Sequence, residues 1–335
     1  MTKLTTAIPP GSGTLILTRS SHQARFSTVS FCYPLKLIVP KRHFVDGLQC
    51  VYLIGYGGGM VAGDRIDLKV EVRDRATLVM LTQGSTKIFR LRKGHYLTSS
   101  SPSTTPLTPT LQTLTTHISP SSTLILLPSP ITCFASSSYS QTQSFHLSAD
   151  GTSSLILLDW YTSGRSSMVS TSVDAGRLEV QEEETEEWAF DRYESRNLIH
   201  LGSRLVVKDV LLLEDETATT PLSPHPTTPH QRTHPTTYKA RLAPYSVYAT
   251  LFLFGPRTSS LRNHISTIFS DLTQYHQAHP YSLIWSYTKL EKGQGGVVRL
   301  AGVATEETKD WIREVLRGGG VEELVGSDLW GNVFT

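Results

Sequence analysis

Along most of the chain, polar and apolar residues either alternate or cluster in short apolar runs. Arg65 to Val72 (RIDLKVEV) alternates strictly, as does Gln143 to Leu147 (QSFHL). A period of two predicts strands with one face toward solvent. Leu155 to Leu158 and Val210 to Leu213 are apolar at consecutive positions, which predicts strands buried on both faces. Further runs rich in Val, Ile, Leu, Thr and Tyr, punctuated by Gly, Pro and Ser, occupy 35–39, 51–56, 77–82, 123–127, 155–160, 202–213, 247–254 and 282–290. This is the pattern of a β-rich domain.

Helical periodicity is confined to two late segments. From Ser260 to Tyr275, Leu261, Ile265, Ile268, Phe269 and Leu272 fall on one stripe. From Thr305 to Leu316, Thr305 is placed to cap a first turn in which Glu306 and Glu307 suit the positive end of the helix dipole. Trp311, Ile312, Val315 and Leu316 make its apolar face, and Gly318-Gly319-Gly320 ends it. The expectation is a mainly β fold with two α-helices toward the C-terminus, in one domain spanning residues 1–335. Three segments, 99–110, 170–187 and 215–237, have too few apolar residues to offset the entropy of ordering and are expected to be flexible insertions.

Composition narrows the class. A net charge of +2 and a pI near 8.4 do not mark a nucleic-acid binder, and the short basic clusters Lys41-Arg42 and Arg90/Arg92/Lys93 read as solvated strand ends. Cys32, Cys50 and Cys133 are widely spaced and form neither a disulfide framework nor a metal knuckle. That usage points to a reducing compartment. With no long apolar segment and no signal-peptide pattern, a soluble cytoplasmic protein without a membrane span is expected.

The glycine-rich stretch Gly57 to Arg65 (GGGMVAGDR) is not a nucleotide loop. A dinucleotide fold needs a helix after its glycines, and here the alternating run 65–72 follows. Asp64 stands where a P-loop would carry lysine, and an acid there repels phosphate. The segment therefore reads as a turn between strands that presents one carboxylate beside uncovered backbone. His225, His230 and His234 lie among threonines and prolines in a linker-like segment, and Cys133 reads as a buried thiol. Thr82-Gln83-Gly84-Ser85-Thr86-Lys87 reads as a polar turn, and Ser163-Gly164-Arg165 as a second.

The order of these blocks carries more than any one of them. GGGMVAGD, then LTQGSTKIF (81–89), LLPSPITCF (126–134) with Tyr139-Ser140-Gln141, ILLDWYTSGR (156–165) and Trp188 to Tyr193 resemble the urease accessory protein D family, in its eukaryotic, fungal-like branch. Two positions depart from the family pattern: Ala62 replaces a glycine, and Thr185 stands where glycine is expected before Glu186. The resemblance implies a β-helix-like stack of strands with a small helical part. It also implies a non-enzymatic chaperone that, with accessory protein F and the GTPase accessory protein G, delivers nickel into apo-urease. No tightly bound cofactor is implied; nickel(II) passes through transiently.

A passage must hold its ion weakly, since complete ligation would retain it. Isolated carboxylates such as Asp64 and Asp159, with Thr82 and Gln83 beside them, suit that need better than a His/Cys cluster. Lys87 and Arg165 either pair with these acids or face a partner, and Glu186 is the remaining candidate binding residue. The alternative reading is a β-solenoid carbohydrate-active enzyme with Asp64 and Asp159 as acid and base.

Overall fold

The computed structural model describes residues 8–41, 44–90, 109–165, 170–174, 177–181, 186–214, 238–273, 281–290 and 294–334. The strands before residue 100 are β1 (Ser12–Ser20), β2 (Gln23–Phe31), β3 (Leu35–Ile38), β4 (Leu48–Gly55), β5 (Gly59–Met60), β6 (Arg65–Val72), β7 (Thr77–Thr82) and β8 (Thr86–Ile88). Next come β9 (Thr110–Ile118), β10 (Thr123–Leu127), β11 (Ile131–Cys133), β12 (Ser138–Leu147), β13 (Ser154–Thr162), β14 (Ser170–Asp174) and β15 (Arg177–Gln181). The last are β16 (Arg192–Leu201), β17 (Arg204–Glu214), β18 (Val247–Phe254), β19 (Leu283–Lys289) and β20 (Gly295–Gly302). Helices are α1 (Tyr238–Leu242), α2 (Ser259–Thr273), α3 (Thr305–Gly318), α4 (Val321–Val325) and α5 (Ser327–Trp330).

One sheet runs β17-β16-β12-β9-β6-β1-β2. The other runs β19-β20-β18-β13-β10-β7-β4-β3, with β5, β8 and β11 joined to one end of it. From β4 to β16 the chain alternates between the two sheets. Each return lays a strand parallel to the previous one: β6, β9, β12 and β16 in the first sheet, β4, β7, β10 and β13 in the second. The result is the expected β-helix-like stack, with antiparallel strands at its ends. Its parallel register aligns residues far apart in sequence into rungs, such as Gln112, Gln141 and Ser195.

Burial explains the two sequence patterns. Leu68, Val70, Leu126, Phe145, Leu155 and Leu157 meet in the core between the sheets. On its other face the second sheet is covered by the helices, where Ile156, Leu158 and Val298 pack against Leu261, Ile265 and Ile312. Strands β10 and β13 are therefore wrapped on both sides and read as continuous apolar runs. No helix covers the outer face of the first sheet among the described residues, so β6 and β12 alternate.

Three expectations change. Val210 and Leu212 are 47% and 46% exposed, because β17 is the edge strand of the uncovered sheet. Within 170–187, β14 and β15 form an antiparallel hairpin. Ladder hydrogen bonds between two β-prone segments supply order that apolar content alone does not reveal. Thr305 is not the cap of α3. Ala304 takes the extended capping conformation without a side-chain bond, and Thr308 Oγ1 donates to the Ala304 carbonyl at 2.7 Å. The glycine stop holds, with Gly320 left-handed at φ 85°. Residues 99–108 and 215–237, including His225, His230 and His234, lie outside the described residues, and Thr110 opens β9.

Candidate functional site

Asp159 occupies the half-buried position of β13, a strand otherwise buried throughout. Its neighbours Leu158 and Trp160 turn to the helix side. The period of two therefore sends Asp159 between the sheets. There it opens onto a cavity of about 70 Å³, enough for more than one water molecule. Protein surrounds the carboxylate elsewhere. The cavity lies toward the C-terminal ends of β7 and β10, where Thr82, Thr86 and Ser129 supply hydroxyls, and Gln112, Gln141 and Gln143 supply amides from the facing sheet. Much of the remaining lining is apolar, including Leu35, Met60, Ile66 and Leu126.

A buried carboxylate is tolerated only when its oxygens are hydrogen-bonded. Gln141 Nε2 donates to Asp159 Oδ1 at 2.7 Å, while Ser195 Oγ and Asn197 Nδ2 both donate to Oδ2 at 2.6 Å. Gln141 Nε2 also reaches Ser195 Oγ at 2.8 Å, and Gln143 Nε2 donates to Asn197 Oδ1 at 3.0 Å. Burial pushes the Asp159 carboxyl above its ordinary value; these three donors pull it back, and Asp209 adds to the rise. One layer further, Tyr139, Tyr161 and Tyr193 form a stacked group, with ring centroids of Tyr161 and Tyr193 4.4 Å apart. Burial raises all three phenols, so they remain protonated.

The expected residues divide into separate places. Asp159 and Thr82 line the same cavity, and Thr82 Oγ1 accepts from Ser129 N at 2.7 Å. Gln83 and Lys87 are exposed outside it. Asp64 does not line it: Oδ2 accepts from Val61 N at 2.9 Å, closing the turn that leads into β6. Arg165 and Glu186 come together, with Nε to Oε2 at 3.9 Å. Neighbouring backbone bonds run from Glu186 N to Arg165 O and from Trp188 N to Ser163 O. Arg165 thus pairs with Glu186 rather than with Asp64 or Asp159, because Gly164 carries its strand end against Glu186. At φ 121° a Cβ on Gly164 would lie 2.5 Å from the Glu186 carbonyl oxygen. Because Asp64 and Asp159 do not share a cavity, the geometry does not favour an acid–base pair made of them.

Gln112, Gln141, Gln143, Ser195 and Asn197 were not among the expected site residues. Their signal was present: in 138–147 and 192–201 the inward set mixes Tyr, Gln, Ser and Asn with Phe, Leu and Ile. Polar residues on a face that must be buried imply a satisfied network or a lined cavity. Cys133 is buried, and burial pushes its thiol up to about 12. Among the described residues, no group of three His, Cys, Asp or Glu side chains could hold a metal ion, so the site offers one carboxylate among neutral oxygen donors.

Residues 10–327 match the family described as UreD urease accessory protein. The chain is similar to urease accessory protein 4 of Cryptococcus neoformans, 35% identical over 96% of this chain and 94% of that protein. It is also similar to urease accessory protein UreD of Sorangium cellulosum (29%, covering 91% and 79%) and to urease accessory protein D of Arabidopsis thaliana (27%, covering 87% and 91%). With the β-stack intact and the family model covering nearly its whole length, the chain belongs to the UreD family of urease accessory proteins.

Proposed function

We propose that this chain is a non-enzymatic maturation factor that works in the cytoplasm with urease apoprotein, accessory protein F and the GTPase accessory protein G, and passes nickel(II) toward the urease active site. Family membership supports the role in urease maturation. The observation that carries the nickel reading is the cavity between the sheets, where among the described residues Asp159 is the only carboxylate and the other polar side chains are mainly hydroxyls and amides. Nickel accepts carboxylate and neutral oxygen ligands, and one anionic contact holds it too weakly to trap it. Asp64 serves the same passage indirectly, by fixing the turn before Ile66, which lines the cavity.

The test is deletion of the gene in its host, followed by complementation with the parent, Asp159→Ala or Asp64→Ala. Urease activity and the nickel content of purified urease are measured with and without excess nickel. Deletion should leave nickel-poor, inactive urease, and Asp159→Ala should restore little of either. Normal ureolysis in the deletion strain would end the maturation reading. Full rescue by Asp159→Ala would end the passage reading alone. Co-purification of a GTPase and urease with the tagged parent tests the partners.

A further inference from the structure

The donors on Asp159 are distributed unevenly, and that asymmetry bears on how long a cation stays. Oδ2 accepts two hydrogen bonds, from Ser195 Oγ and Asn197 Nδ2, both at 2.6 Å. Oδ1 accepts one, from Gln141. A carboxylate has about four lone-pair positions, so three are filled and the open one is on Oδ1. Ser195 and Asn197 sit two residues apart on β16, hence on one face, and are 3% and 0% exposed. Their orientation is fixed from behind. Asn197 Oδ1 accepts from Gln143 Nε2, which leaves its Nδ2 toward Asp159, and the Tyr139 hydroxyl, 3.2 Å from both Gln141 Oε1 and Gln112 Oε1, shares its one proton between them on the side of Gln141 away from Asp159. A buried network of this kind resists rearrangement.

We propose that Ser195 and Asn197 are positioning residues that occupy Oδ2 of Asp159 and leave Oδ1 as a single-oxygen contact, so that a divalent cation is handed on and not chelated. The proposal rests on the passage reading above. Chelation by one carboxylate uses both oxygens, and here the second is already committed to two donors. A cation at Oδ1 meets one charged ligand, and Thr82, Thr86, Ser129, Gln112 and Gln143 add only neutral polar groups to a lining that is otherwise largely apolar. For hard divalent ions, affinity rises by decades with the number of charged ligands, so this arrangement keeps affinity low by construction.

The experiment is equilibrium dialysis of the purified full chain against Ni²⁺, with circular dichroism confirming the fold, alongside urease activation in the deletion strain. Asn197→Asp removes one donor from Oδ2 and puts a second carboxylate beside it; it should bind Ni²⁺ at least roughly tenfold more tightly than the parent while activating less urease. Ser195→Ala frees one of the two filled positions on Oδ2 without adding charge and should raise Ni²⁺ affinity by a smaller factor. A role confined to stability predicts no gain in affinity from either change. If both folded variants bind Ni²⁺ no more tightly than the parent, the positioning role is overturned. Asp159→Asn separates the two ideas. If it activates urease like the parent, the passage itself is refuted; if it fails to activate while the other variants show no gain in affinity, only the positioning role falls.

Discussion

Replacing Asp159 by leucine removes the acceptor on which three buried donors converge. Gln141 Nε2 keeps Ser195 Oγ as a second acceptor, so the groups left without a partner are the Ser195 hydroxyl and the Asn197 amide. A buried donor without a partner costs about 1–3 kcal/mol, giving about 2–6 kcal/mol for two. Water entering the adjacent cavity re-satisfies part of this, and leucine also ends the desolvation of a buried charge. The net expectation is a loss of roughly 2–3 kcal/mol. Asparagine behaves differently. Its carbonyl oxygen can accept from Ser195 and Asn197 as Oδ2 does, while its amide meets the Gln141 amide as one donor against another. That exchange should cost roughly 1 kcal/mol. Urea unfolding at neutral pH, with unchanged slopes, reads the differences as midpoint shifts. The expected order of stability is parent, then Asp159→Asn, then Asp159→Leu, with urease activation lost in both variants although the asparagine form is folded. A leucine variant as stable as the parent would refute the claim that these donors depend on the carboxylate.

Other predictions test the frame around the site. Gly164→Ala, at φ 121° with a Cβ 2.5 Å from the Glu186 carbonyl oxygen, should lose about 3 kcal/mol or more. Gly63→Ala, at φ 86° with nothing within 4 Å, should lose only about 1 kcal/mol; equal thermal shifts would refute the contrast. Leu212→Lys should change stability by less than about 0.5 kcal/mol, because Leu212 is 46% exposed on the open sheet, and a larger change in the urea midpoint would mean that this face is covered. His117, His146 and His200 stack on one rung with centroids 4.6 and 4.7 Å apart, and Glu71 extends the rung beyond His117. Burial, then the two neighbouring imidazoles, hold His146 below its ordinary value. The unfolded chain therefore takes up the proton first, and the contribution present above about pH 6.5 is lost as pH falls below it. Between about pH 7.5 and about pH 5.5 the parent's urea midpoint should fall further than that of His146→Gln, and equal falls would sink the idea.

The parts legible in the sequence were those written by local physics. The alternating run of β6 and the apolar, β-prone runs of β7, β10 and β18 placed these strands at their observed bounds, since a strand between core and water, or between a helix layer and a second sheet, leaves its pattern in consecutive residues. The glycines after α3 likewise read correctly as a stop. Misreadings arose where the decisive partner is remote. Val210 to Leu213 has the composition of a doubly covered strand, but whether helices lie over it is decided by the topology. The hairpin of β14 and β15 owes its order to pairing that composition does not record.

The site shows the same division more sharply. Asp159 and Thr82 could be singled out because each lies in a short, ordered block. Gln141 and Ser195, 54 residues apart, act on Asp159 only because the parallel register puts them on one rung facing β13. That register also explains why Asp64 and Asp159 part company. Asp64 precedes the first residue of β6 and spends an oxygen on its own turn, while Asp159 lies within β13 at an inward position. Two acids that look equivalent in the sequence thus meet different demands: one shapes the entry to a strand, the other carries the single charge of the cavity among the described residues. A stack of this kind can change the chemistry of its interior one layer at a time, since an inward residue mainly meets those of its own and adjacent rungs. The polar layers at Gln141 and Ser195 and at Gln143 and Asn197, which meet Asp159 between a tyrosine layer and an apolar one, are where such a change would alter the chemistry of the cavity.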